Sequence, residues 1–113
     1  MALRAATTYF EGFFAVRIID RNYGAGVGDD PDERFWPFDF FYEDEKLARG
    51  EYELVGIEVL DVSLITEEWL AEMEKLDLPR VDVPEADLSD ATLADVLRWA
   101  RKTYPSRYEQ AAG

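Results

Sequence analysis

Trp36, Phe38, Phe40 and Tyr42 fall on alternate positions of the run Trp36-Pro37-Phe38-Asp39-Phe40-Phe41-Tyr42, and Asp39 and Glu43 take the opposite parity. Successive side chains of a strand point to opposite faces, so this spacing predicts a β-strand with one continuous aromatic face turned to a core. Pro37 has no backbone donor, which puts the start of that strand at a sheet edge or just outside the ladder. The flanks are acidic: residues 29–45 hold eight carboxylates and six aromatic rings, with Arg34 as the one positive charge among them. The rings of opposite parity, Phe35 and Phe41, are the aromatics expected at the surface beside those acids.

Neighbouring segments supply strands for this one to pair with. Phe13-Phe-Ala-Val-Arg-Ile-Ile-Asp20 is rich in aromatic and β-branched residues, which suit a pleated surface. A helix there would leave Glu11, Gly12, Arg17 and Asp20 scattered around its axis with no apolar stripe. Residues 5–11 offer a preceding strand, joined through a turn or bulge at Gly12, so residues 5–20 form one strand or two. Residues 21–33, with three glycines, a proline and four acids, read as an irregular loop. A polar connection follows at 43–51, and then a long strand in Glu51-Tyr-Glu-Leu-Val-Gly-Ile-Glu-Val-Leu-Asp-Val62. Its alternation changes phase at Gly56, which predicts a bulge near Leu54 to Gly56 and an antiparallel hairpin with the aromatic strand.

Two helices complete the pattern. Thr66 is a good N-cap, Glu67 and Glu68 suit the positive end of a helix dipole, and Trp69, Met73 and Leu76 recur at helical spacing. Residues 78–88 read as an extended linker. Ser89 then serves as the cap of a second helix, along which Leu93, Val96, Leu97 and Ala100 form a stripe. Arg98, Arg101 and Lys102 lie toward its end, where cations are favoured, and Pro105 closes it. The expected fold is one α+β domain spanning residues 1–113: an antiparallel sheet of three to four strands, order β-β-β-α-α or β-β-β-β-α-α, with both C-terminal helices on one face.

The chemistry open to this chain is narrow, because it contains neither cysteine nor histidine. Disulfides, thiolate nucleophiles, His-based triads and Cys- or His-ligated metals are excluded together. Gly24-Ala-Gly-Val-Gly28 lacks the spacing of a dinucleotide loop and is followed by Asp29-Asp30, where a phosphate would need donors and positive charge. Asp29, Asp30, Asp32 and Glu33 do not follow the spacing of a calcium loop. Carboxylate pairs for glycoside hydrolysis arise here by number alone, and Ser63, Ser89 and Ser106 have no histidine to activate them. The expectation is a protein with no cofactor, no metal and no catalytic residues. The apolar runs are too short for a membrane span and Met1-Ala2-Leu3-Arg4 lacks a secretory h-region, which points to the cytoplasm.

What remains is charge. The chain carries a net −13. Residues 29–95 hold 22 acidic against five basic groups, whereas the flanking segments are slightly basic. Such a field repels nucleic acid and anionic membranes and attracts basic partners. Arg98, Arg101, Lys102 and Arg107 make a poor nucleic-acid footprint beside it and are better used in salt bridges to the acidic middle. The expected function is a small acidic binding module for a basic protein, with Asp29, Asp30, Asp32, Glu33, Phe35, Phe41, Glu43, Asp44, Glu45, Glu51 and Glu53 as its contact residues. In character, though by no motif, such a chain resembles inhibitors, immunity proteins and antitoxins that cover a nucleic-acid-binding surface. The alternatives are an oligomerising domain that forms a homodimer through the aromatic strand as a sheet edge, and acidity that serves only solubility or salt adaptation.

Overall fold

The computed structural model describes residues 2–22, 26–27 and 37–108. The chain opens with a hairpin of β1 (Leu3–Phe10) and β2 (Phe13–Ile18), paired from Ala5↔Ile18 to Phe10↔Phe13. Residues 5–20 therefore form two strands. Glu11 and Gly12 connect them at φ 45° and 95°, the pair of positive values that a two-residue type I′ turn requires. Gly12 is needed for a second reason: a Cβ there would overlap Asp61 Oδ1 and crowd the Arg107 backbone nitrogen at 2.9 Å.

The aromatic run folds as its parity predicts. Phe38, Phe40 and Tyr42 of β4 (Phe38–Tyr42) are all buried, and Pro37 stands just outside the strand. Trp36 lies outside the described residues. β4 pairs antiparallel with β5 (Leu54–Val59), and the register passes from Phe41↔Gly56 to Tyr42↔Leu54. Val55 is thus the extra residue of a bulge, which lets Leu54 and Val55 both be buried while Ile57 and Val59 keep the core parity. The start of the strand lies outside the ladder as Pro37 predicts, but its far end is not a sheet edge. β3 (Gly26–Val27) pairs with its outer side at Tyr42 and Phe41, so a strand arises within the segment read as irregular loop.

The fold is α+β, but the expected sheet of three to four antiparallel strands is an underestimate in number, and one of its pairings is parallel, so the sheet is mixed. Among the described residues, seven strands run in the order β3-β4-β5-β2-β1-β6-β7, with β6 (Val81–Val83) parallel to β1 and antiparallel to β7 (Leu88–Ala91). Residues 78–88 looked like a linker because β6 is only three residues long, too short to show a period. β7 is irregular as well. Asp90 sits at φ 50° in a bulge opposite Asp82, whose Oδ1 accepts from the Asp90 backbone N–H at 2.7 Å. That acidic, bulged strand blunts its edge of the sheet against pairing with another chain.

Because β5 and β6 both run parallel to β1, the link between them is a split crossover that passes the first hairpin. It carries α2 (Glu67–Met73), capped by Thr66 Oγ1, which accepts from Trp69 N. α3 (Leu93–Thr103) follows β7, and its cap is Thr92, whose Oγ1 accepts from Asp95 N at 3.1 Å. Ser89, the expected cap, is a residue of β7. The polar connection at 43–51 also contains a helix, α1 (Asp44–Ala48), which Glu43 caps by accepting from Lys46 N at 2.8 Å.

Leu70 and Met73 of α2 and Val96, Leu97 and Ala100 of α3 share one core with Phe14, Val16, Ile18, Ile57 and Val59 of the sheet. Both C-terminal helices thus cover one face, as expected. An aromatic group seals the end of α3: Tyr9 stacks on Tyr104 with centroids 4.2 Å apart, Trp99 packs edgewise on Phe14, and Tyr9 Oη donates to Pro105 O at 2.6 Å. No described helix is long and apolar enough to cross a membrane.

Candidate functional site

Of the expected contact residues that the structure describes, Phe41 lies on a different surface from the acids around α1. Asp29, Asp30, Asp32, Glu33 and Phe35 lie outside the described residues. Glu43, Asp44, Glu45, Glu51 and Glu53 gather at one end of the sheet, where α1 joins β4 to β5. Cations reach that corner too. Glu53 Oε1 is 2.9 Å from Lys46 Nζ and 3.8 Å from Arg21 Nε, and Glu51 is 3.3 Å from Arg49. Glu43 spends a carboxylate oxygen on its cap, and Arg21 Nη1 donates to the Leu54 carbonyl beside the bulge at 2.7 Å. An open cleft of about 570 Å³ lies alongside, walled by Tyr42, Tyr52, Leu76 and Leu78, with Arg21 and Glu53 on its lining. Glu51 and Glu53 of this corner are ion-paired, and Asp44, Glu45 and Glu51 are its exposed acids.

Phe41 belongs to a different surface. The face of the sheet opposite α2 and α3 has no described helix on it, and the register lays out its side chains in rows. Phe41, Gly56, Arg17 and Ala6 lie side by side across β4, β5, β2 and β1. Asp39, Glu58, Ala15 and Thr8 form the next row. Phe13 and Phe10 face each other in the row beyond, near the hairpin turn. Phe10 is 67% exposed, and Leu60, just past the end of β5, is 66% exposed. Small residues at Ala15 and Gly56 leave a trough of about 320 Å³, walled by Phe13, Phe41, Arg17 and Glu58.

Asp39 and Glu58 are direct cross-strand partners. Like charges placed so oppose each other and destabilise a sheet. Burial, and then the Asp39 charge, push the Glu58 carboxyl above the usual carboxylate range. Neither side chain meets a cation or a hydrogen-bond donor among the described residues. These two acids were not among the residues expected from sequence. Each was visible as an acid between core positions, Asp39 between Phe38 and Phe40 and Glu58 between Ile57 and Val59, but their opposition depends on the register that the Val55 bulge sets.

The other notable charges hold the fold. Asp61, 5% exposed, accepts from Ser63 N at 2.9 Å and Arg107 N at 2.8 Å. Burial pushes its carboxyl up, and the bonds from Ser63 and Arg107 outweigh that, holding it below the usual range. It sits beneath the Gly12 turn, outside both the cleft and the trough. Arg98 clasps α2 to α3 through Glu67 (3.0 Å) and Glu74 (2.9 Å), and also reaches Asp95 (2.9 Å). The hydrogen bonds to Glu67 and Glu74 hold its guanidinium in the charged form. Of the three cations assigned to the helix dipole, two, Arg101 and Lys102, occupy the last turn of α3. No group of three or more acids among the described residues is arranged to hold a metal ion.

No family model, curated protein or solved structure matches the chain.

Proposed function

We propose that this protein is an acidic binding module that engages a basic protein through the face of its sheet opposite α2 and α3. The observation that carries this reading is the Asp39–Glu58 pair, two carboxylates set directly opposite each other on adjacent strands. A cation from a partner would relieve their repulsion, and the net −13 of the chain would speed its approach. Phe13 and Phe41 beside the pair, and exposed Phe10 and Leu60 beyond it, supply apolar contact area. A partner of this chemistry is a nuclease, toxin or other nucleic-acid-binding protein whose basic surface the module covers, as inhibitors and immunity proteins do. This placement moves the contact surface from the acidic flanks of the aromatic strand to the strand's own outward side.

Salt-titrated binding tests it. The immobilised protein is expected to retain a basic protein from the source lysate at low ionic strength and to release it as salt rises. An Asp39→Asn/Glu58→Gln variant is expected to lose the partner, while Glu45→Gln at the ion-paired corner keeps it. Failure to retain any basic protein, or equal retention by the double variant, would overturn the proposal.

A further inference from the structure

We draw no further inference here: the strongest candidate, the open cleft of about 570 Å³ between the β4–β5 bulge and the segment that follows α2, has Arg21 engaged with the Leu54 carbonyl and Glu53 with Lys46, and nothing in the structure shows what covers it.

Discussion

At the scale of single residues, Asp61 and Glu58 are carboxylates with opposite effects on the fold. Asp61 receives two backbone N–H groups and is held in its charged form, so its contribution is present above its unfolded pKa, about 3.9, and is lost as pH falls through the lower folded value. Asp61→Ala leaves those donors without their acceptor, and denaturant unfolding at neutral pH is expected to show a loss of about 1–3 kcal/mol. Asp61→Asn is expected to flatten the acid limb of stability measured below about pH 4. Glu58 is shifted the other way. Its folded pKa is raised, so its contribution is full below its unfolded pKa, about 4.3, and is lost as pH rises through the folded value. Glu58→Gln is therefore expected to stabilise the protein at neutral pH by about 0.2–1 kcal/mol, the scale of a cross-strand pair, while weakening partner binding. A destabilised Glu58→Gln variant would show that the carboxylate serves the fold instead.

The elements explain what the sequence could and could not disclose. β4 and β5 were legible because four outward-and-inward alternations and a glycine at the phase switch leave one register that buries both apolar sets. α2 and α3 were legible in their apolar spacing, but the second cap was misplaced. Ser89 and Thr92 are both competent capping residues, and only the pairing of Leu88–Ala91 with β6 commits Ser89 to a strand. β6 was hidden by its length and β7 by a bulge with Asp90 at positive φ. Of the candidate site, the parity of Asp39 and Phe41 could be read directly; the juxtaposition of Asp39 with Glu58 is a property of two strands together. The contact between α2 and α3 is similarly non-local, since Arg98 gathers Glu67, Glu74 and Asp95. Arg98→Ala is expected to lower the thermal midpoint by leaving three acids converging on an empty centre. Arg98→Lys is expected to recover only part of that loss, because one ammonium cannot reproduce the guanidinium's fork.

Across the whole molecule, the net −13 acts on folding and on association with opposite signs. Self-repulsion among like charges weakens the compact state and is screened by salt, so the thermal midpoint is expected to rise as ionic strength increases from low values, while retention of a basic partner falls. A midpoint insensitive to salt would show that the acids are already balanced locally. The split crossover has a kinetic consequence. β1 pairs with β6 at Leu3↔Val81, and β2 pairs with β5 at Phe14↔Val59, so the first hairpin gains its flanking strands only after long loops have closed. Such non-local topologies fold slowly, and an unflanked hairpin exposes two bare edges while it waits. A highly charged chain keeps those edges apart from other copies during that interval. Refolding near pH 4, where the carboxylates neutralise, should therefore lose material to aggregation that refolding at neutral pH recovers as native protein.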